Sequence, residues 1–366
     1  MAQYRAVVIG LGWMGLLYDL AQRVPDRFDV NDVDRPTPTL DIHRRFYHHE
    51  HPGDSGLPTS YAEAFHDRSE VELVAAADRD EKRLAVFRER YGIDGVYTDA
   101  EDMLRQERAD LVAVCTNTKT RADLTVLAAE CGARGIVTEK PMVHTLREAD
   151  RMVSTCAEGG IPVSCGSITT THPSFARARA LLDTGTIGEL LSIEAAGPCA
   201  QHQNWSYFFD VRPDWVVGID DSGRRETGSS EFTGTGMAWS EARGVAVHFR
   251  PGAPGVRLCG QRGEMSFDYA CGWRLWQELD AAGGAAKVEV PWPAPQFQAP
   301  YGSVYTVADV IDCIEGRLDE PKNSARRVAI ALETEIALKQ SSAAGGERVS
   351  LPLADRYLGL HYDWFR

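Results

Sequence analysis

Ala6-Val7-Val8-Ile9-Gly10-Leu11-Gly12-Trp13-Met14-Gly15 decides the fold. Ala6 to Ile9 is a short, wholly apolar run, as a strand buried on both faces requires. Three glycines at fixed spacing follow it directly, and a helix-like segment opens behind them. In that setting the first glycine permits a tight turn, the second lets backbone approach a pyrophosphate, and the third lets helix and strand pack closely. Amides at the helix start then meet the negative charge. Gly10, Gly12, Trp13, Met14 and Gly15 are expected to cradle a dinucleotide.

Outward from this stretch, strand-like and helix-like patterns alternate, which implies a parallel sheet flanked by helices. Val71 to Ala77 reads as a second strand, Val96-Tyr97 as a third, Leu111 to Cys115 as a fourth and Gly135 to Thr138 as a fifth. Between them, Glu81 to Tyr91 has helical spacing at Leu84, Phe87 and Tyr91 and stops at Gly92; a further helical pattern runs through Leu124, Leu127 and Ala128. Asp78, at the end of the second strand, has the chemistry to accept hydrogen bonds from adenosine ribose hydroxyls, which favours NAD. Arg79 beside it could pair with a 2′-phosphate, so NADP stays open. The acidic residue of such motifs lies about 20 residues after the glycines. Here it lies much further on, and Gln22 to Pro58, rich in charge, His and Pro, reads as an insertion.

The second half changes character. A helix-and-strand unit (Leu146 to Cys156, Ile161 to Cys165) leads to a helix started by Pro173 and ended by Gly185, with Phe175, Ala178, Leu181 and Leu182 on one face. Short strand candidates follow at Leu190–Ala195, Val245–Phe249, Val256–Cys259, Met265–Tyr269, Trp273–Trp276 and Val288–Val290, a pattern of a largely antiparallel sheet. Two helices, around Val304–Ile314 and Ala325–Ser341, close the chain. The expected architecture is α/β: a dinucleotide-binding Rossmann domain with a doubly wound parallel sheet over 1–145, and a substrate-binding and oligomerisation domain over 146–366.

Length and charge agree with this reading. At about 150 residues per domain, 366 residues make about two domains. A net charge of −14 argues against unaided binding to nucleic acid or anionic membrane, which need clustered Lys and Arg. The eight cysteines form no CxxC pair, which suits a reducing compartment. No stretch approaches about 18 uncharged apolar residues, and the N-terminus lacks a small-residue cleavage site, so a cytoplasmic location is expected. His43, His48, His49 and His51 invite a metal reading, but their spacing is not that of a zinc helix and no Cys is near. No metal is expected.

Glu139-Lys140-Pro141 ends the fifth strand, on the sheet edge where ligands of open α/β folds bind. A lysine there could exchange a proton with a substrate hydroxyl as hydride moves, or simply form a surface ion pair. The glycine pattern, Ala76-Ala77-Asp78-Arg79-Asp80, Cys115-Thr116-Asn117-Thr118, Glu139-Lys140-Pro141, Gly185-Thr186-Ile187-Gly188-Glu189-Leu190 and the terminal helix before Gly345 together resemble the Gfo/Idh/MocA oxidoreductase family. The resemblance implies a Rossmann domain joined to an α/β domain with an open, mainly antiparallel sheet. It also implies NAD(P)-linked oxidation or reduction of a sugar, cyclitol or related polyol, and a homo-oligomer, dimer or tetramer. By it, Thr116 and Asn117 line the nicotinamide side, Glu139 lies near its ribose, and Lys140 is catalytic, with hydride passing in the cleft between the domains.

Two departures bear on the chemistry. The stretch before Pro173 reads Thr169-Thr170-Thr171-His172, without the family's common Arg, and the usual Asp/His pair one turn apart is missing. His202 and His172 stand as catalytic or substrate-binding substitutes, with Asn204, Trp205 and Tyr207 as further substrate contacts. Each has a plain alternative: satisfying backbone groups, or packing for the aromatic rings. The polar run Arg224-Arg225-Glu226 and Ser229 to Gly236 reads as a loop that recognises substrate, crosses a subunit interface or merely connects. Two other functions stay open: a lyase or glycosidase that oxidises a sugar transiently with no net redox, and a non-catalytic NAD(P) sensor.

Overall fold

The computed structural model describes residues 3–19, 58–197, 203–219, 231–281, 284–297 and 303–361. Its chain divides into two units. The first comprises Met1–Val143, Asp150–Ile168 and Gln298–Ala325; the second comprises His144–Ala149, Thr169–Phe297 and Arg326–Arg366. By this division two segments beyond 145 belong with the first unit. One carries the sixth strand of the parallel sheet, and the other is a late return of the chain that packs against that sheet's fifth and sixth strands.

In the first unit, β1 (Tyr4–Ile9), β2 (Val71–Ala77), β3 (Val96–Tyr97), β4 (Leu111–Val114), β5 (Gly135–Thr138) and β6 (Val163–Ser164) form one sheet. Its order is β3-β2-β1-β4-β5-β6, parallel throughout, so the chain winds outward from β1 in both directions. This is the doubly wound sheet, and ligands of such sheets gather where the order reverses, beside the carboxyl ends of β1 and β4. The helices α1 (Tyr61–His66), α2 (Glu81–Tyr91), α3 (Ala100–Glu107) and α4 (Thr118–Glu130) connect the strands. α2 stops where expected, on Gly92 at φ +67°. α1 and α3 are short elements that the periodicity does not reveal.

Asp19 joins the two sides of the segment 20–57. Its buried carboxylate accepts from the Thr59 amide at 3.2 Å, the Ser60 amide at 2.7 Å and the Ser60 hydroxyl. Ser60 in turn caps α1. The predicted insertion itself, with its four histidines, lies outside the described residues.

The second unit carries one nine-stranded sheet, ordered β14-β13-β12-β11-β7-β10-β9-β8-β15. Its members are β7 (Leu190–Ala196), β8 (Trp215–Ile219), β9 (Thr235–Ser240), β10 (Val245–Arg250), β11 (Gly255–Gly260), β12 (Gly263–Asp268), β13 (Gly272–Ala281), β14 (Gly284–Val290) and β15 (Val349–Ser350). All neighbours are antiparallel except β7 and β10. β8 and β9 are absent from the expected strands, and Thr235-Gly236 belongs to β9 rather than to a loop. Arg224 to Ser230 lies outside the described residues.

Alternation sets the two faces of this sheet. Ile193, Val247, Phe249, Val256, Leu258, Met265, Phe267 and Trp273 are buried, while His248, Arg250 and Arg257 face outward. Two helices, α6 (Pro173–Asp183) and α7 (Asn204–Phe209), follow α5 (Leu146–Glu158) in the chain. Phe175 of α6 meets Phe267 at 4.9 Å and Trp273 at 5.0 Å, both edge-on. On the late helix α9 (Ala325–Ala343), Leu338 lies so close to the paired Gly218 and Gly236 that any Cβ there would come within 2.5 and 2.6 Å of it. Between β14 and α9 runs α8 (Val304–Ile314), in the segment that returns to the first unit. Among the described residues no helix is long and apolar enough to cross a membrane.

Two stability outcomes follow from this packing. Phe175→Ala should lower unfolding stability by about 3–5 kcal/mol, the range for truncating a buried Phe, read from urea denaturation. Burial pushes the Asp19 carboxyl up from 3.8 to about 6. The folded state then holds this proton more tightly than the unfolded chain, so the associated stability is full below about 3.8 and lost as pH rises through about 6. Against Asp19→Asn, the wild-type urea midpoint should fall between pH 4 and 7. A pH-independent difference would exclude that linkage.

Candidate functional site

β1 hands the chain to the glycine loop at Gly10, whose amide donates to the Ala77 carbonyl at 2.8 Å. Gly10 has φ +88°, and a Cβ on it would lie 3.0 Å from the Cys115 carbonyl. A Cβ on Gly15 would sit 1.9 Å from the Gly10 oxygen. These two glycines are thus demanded by the loop's own closure. Gly12 differs, because a Cβ there would meet nothing within 4 Å. The loop keeps open space on the side where a pyrophosphate would approach, so the residues present fit a dinucleotide. Trp13–Leu17 then makes one π-helical turn, with the Leu16 and Leu17 amides both reaching the Gly12 carbonyl at 3.0 Å. Trp13 and Met14 are half-buried at its start.

The Asp78 carboxylate braces the same loop. Its Oδ2 accepts from the Leu11 amide at 2.5 Å and its Oδ1 from the Asp80 amide at 2.8 Å. Arg79 is exposed next to it, and the Arg83 guanidinium stands 3.9 Å from Asp78 Oδ2. A carboxylate fixed this way keeps lone pairs for ribose hydroxyls at the end of β2.

Beside the loop, β4 runs through Cys115 and Thr116 into Asn117, which caps α4 by accepting from the Lys119 amide at 3.1 Å. One turn on lies Arg121, fully buried. Its guanidinium donates to three carbonyls: Thr116, Glu139 at 2.9 Å, and Pro141. The residues immediately before and after Lys140 are therefore tied to the end of β4 by one side chain. Glu139 is buried as well. Its Oε1 accepts from the Tyr61 hydroxyl at 3.0 Å and its Oε2 from the Lys140 amide at 3.3 Å. Burial pushes the Glu139 carboxyl up, opposed by the Lys140 and Arg121 charges and by the Tyr61 hydroxyl. Burial likewise pulls the Arg121 guanidinium down and lifts the Cys165 thiol to about 12. Glu139 was expected near a ribose, yet its carboxylate is turned to Tyr61 and to the backbone. Lys140 itself is half-buried, on a fixed backbone at the carboxyl end of β5.

Sequence reasoning passed over Tyr61 and Arg121. Arg121 had a signal: Thr118, Arg121, Ala122, Thr125 and Ala128 form the buried stripe of α4 at helical spacing, while Leu124 and Leu127 are only half-buried. Tyr61 had none, because α1 is too short for a period to show.

The other candidates lie in the second unit. His172 caps α6, its Nδ1 accepting from the Ser174 amide at 3.1 Å, with the ring edge-on to Phe297 at 5.0 Å. An accepting Nδ1 puts the proton of the neutral ring on Nε2. Asn204 is buried at the start of α7, where its Oδ1 accepts from the Thr170 hydroxyl at 2.7 Å and its Nδ2 has no hydrogen-bond partner among the described residues. Trp205 and Tyr207 are both engaged in packing. The Trp205 ring is 1% exposed, with the Phe249 ring edge-on at 5.2 Å. The Tyr207 ring is taken up by the Arg179 and Arg327 guanidinium groups at 5.0 and 5.4 Å. His202 lies outside the described residues. Among the described residues no group of three or more His, Cys, Asp or Glu could hold a metal.

Comparison with known proteins bears on both units. Residues 53–167 match the profile of an oxidoreductase family with an NAD-binding Rossmann fold, Gfo/Idh/MocA. The D-apiose dehydrogenase of Paraburkholderia graminis is 32% identical over 129 residues, 35% of this chain and 34% of that one. The myo-inositol 2-dehydrogenase of Thermotoga maritima is 26% identical over 133 residues, 36% of this chain and 40% of that one. The chain thus spans little more than a third of the curated relatives it matches. An oxidoreductase of Agrobacterium radiobacter, solved with NAD+, L-tartaric acid and magnesium, superposes over 95% of this chain and 98% of its own at a TM-score of 0.64. At 16% identity that likeness speaks to the fold alone. Residues 53–167 are thus similar to the NAD-binding Rossmann fold of the Gfo/Idh/MocA oxidoreductase family, and the glycine loop and braced Asp78 lie in the same parallel-sheet unit.

Proposed function

We propose that this protein is an NAD-dependent oxidoreductase acting on a CH–OH carbon of a sugar, cyclitol or related polyol. The observation that carries the reading is Lys140. Its backbone is clamped by Arg121 at the carboxyl end of β5, in the same unit and sheet as the glycine loop at the end of β1. The relatives named for D-apiose and myo-inositol support the substrate class.

In this reading Gly10, Gly12 and Gly15, with Trp13 and Met14, hold the pyrophosphate, and Asp78 accepts from the adenosine ribose. Thr116 and Asn117 line the nicotinamide side. Bound NAD supplies the hydride acceptor, and the protein supplies orientation and proton transfer. Lys140 exchanges the hydroxyl proton; in the second unit, taken by itself, His172 and the Asn204 amide group have the chemistry to bind polyol hydroxyls. The negative charge of Asp78 disfavours a 2′-phosphate, so NAD binds more tightly than NADP, with Arg79 too exposed to reverse that order. A homo-oligomer fits the exposed Leu191, Ile219 and Leu279, all on the nine-stranded sheet. A cytoplasmic location fits the seven described cysteines, all free thiols.

Lys140→Ala should lower kcat/KM on the best polyol about 10²–10⁴-fold, the usual contribution of a proton-transfer group, with NAD affinity within about threefold. Near-normal turnover would remove Lys140 from the chemistry. The glycines separate folding from binding. Gly12→Ala should keep the wild-type Tm and lose NAD affinity about tenfold or more, because the new methyl fills open cradle space. Gly15→Ala should lower Tm with or without coenzyme, because its methyl meets the Gly10 carbonyl. Calorimetric titration and thermal melts of the two variants check both.

A further inference from the structure

We infer that the outer edge of β14 pairs, antiparallel, with β14 of a second copy of this chain. This rests on the homo-oligomer proposed above, and deepens it by naming an interface. β14 (Gly284–Val290) ends the nine-stranded sheet. Its inner side is paired with β13 over its whole length, from Ala281 against Gly284 to Leu275 against Val290. Among the described residues no strand and no backbone hydrogen bond occupies its outer side. Such an edge is a template for one more strand unless a proline, a bulge or an unmatched charge blunts it. Gly284–Val290 contains no proline, and its pairing with β13 runs without a register shift. Its one cation, Lys287, is matched by Glu264 of β12.

The strand's own charges select the partner and the register. Two copies paired about a twofold axis place residues of the same face opposite one another. An axis through Lys287 or Glu289 would set like charges against each other, and one through Ala286 leaves Lys287 opposite Ala285. An axis through Val288 sets Lys287 of each copy against Glu289 of the other. Within the chain Lys287 already meets Glu264, and Glu289 meets Arg274 at 2.9 Å. Pairing therefore builds a row of alternating sign, with Glu264 and Lys287 from one copy followed by Glu289 and Arg274 from the other. The twofold axis repeats it, and such networks count for more than isolated surface pairs. On the other face Val288 meets its own copy and Ala286 meets Val290. Leu279, 49% exposed and paired with Ala286, lies beside them and gains cover. A foreign strand would need the same charge pattern, which a second copy supplies by symmetry.

Edge pairing covers a small area, so the contact should be reversible, with a dissociation constant on the order of micromolar. Sedimentation of the full chain from about 1 to 100 μM should show association rising with concentration. Lys287→Glu and Glu289→Lys each set two like-charge pairs across the axis. Each alone should weaken association about tenfold or more, with Tm little changed. An equimolar mixture of the two variants should recover it, because each Glu of one chain then faces a Lys of the other. Loss of the Glu264 or Arg274 pair within a chain cannot produce that recovery. Hydrogen–deuterium exchange gives a readout without variants: the peptide spanning 284–290 should gain protection as wild-type concentration rises.

A wild type that stays monomeric defeats the homo-oligomer and the edge pairing together. An oligomer that neither variant weakens, or that the mixture does not restore, overturns the edge pairing and leaves the homo-oligomer standing. So does exchange at 284–290 that stays constant while association rises. Should either variant not fold, the exchange measurement on the wild type decides alone.

Discussion

A single buried guanidinium organises the carboxyl edge of the parallel sheet. Arg121 gives hydrogen bonds to the carbonyls of Thr116, Glu139 and Pro141, which belong to two different strand ends. Stripping a cation of water costs several kcal/mol, and here it is offset by oxygen acceptors in a fixed fork geometry that lysine could not match. Burial pulls this guanidinium down, and the nearby Glu139 carboxylate opposes that pull. The charge is thus retained because the backbone needs it. Without such a tie the two loops would have to satisfy three inward-facing carbonyls with water or move apart. The position of Lys140 depends on the guanidinium more directly than on any strand.

That dependence explains what could be read from residues alone. The parallel sheet was legible because its strands are mostly apolar runs, interrupted only by single residues such as Arg5 in β1 and Glu72 in β2, and ended by a glycine, an Asp or a polar cluster. β2, β3 and β5 fall on the expected residues. Gly10 and Gly15 were legible because their constraint is local and steric. Arg121 was not, since an arginine on a helix is ordinarily solvated, and only the burial of its whole stripe marks it as interior. Tyr61 was hidden by element length. The late return of 298–325 to the first unit was hidden because nothing in a local period records which sheet a helix will join.

In the second unit the strands that escaped notice are those with broken alternation. β8 carries Gly218 and β9 carries Gly236, each the site of close approach to Leu338. A glycine that serves packing reads in a sequence as a turn. Trp205 and Tyr207 kept two readings for a related reason: aromatic rings suit both a sugar face and a core, and burial is what a sequence does not record. Trp205 is buried and the Tyr207 ring lies between two guanidinium groups, so both rings contribute to packing.

In the proposed reading, the second unit's recognition groups are polar and few. His172 commits Nδ1 to capping α6, which fixes its tautomer and leaves hydrogen-bond chemistry to Nε2. Asn204 commits one amide atom to Thr170 and leaves the other without a partner among the described residues. Turning the amide over exchanges oxygen for nitrogen but does not remove the deficit, since the Thr170 hydroxyl can satisfy only one end. A buried polar atom in that state costs about 1–3 kcal/mol, and a polyol hydroxyl is a natural means of recovering it. In the proposed reading, a substrate lacking that hydroxyl would leave the deficit in place, so the side chain that costs stability in the free protein would be one that discriminates among sugars.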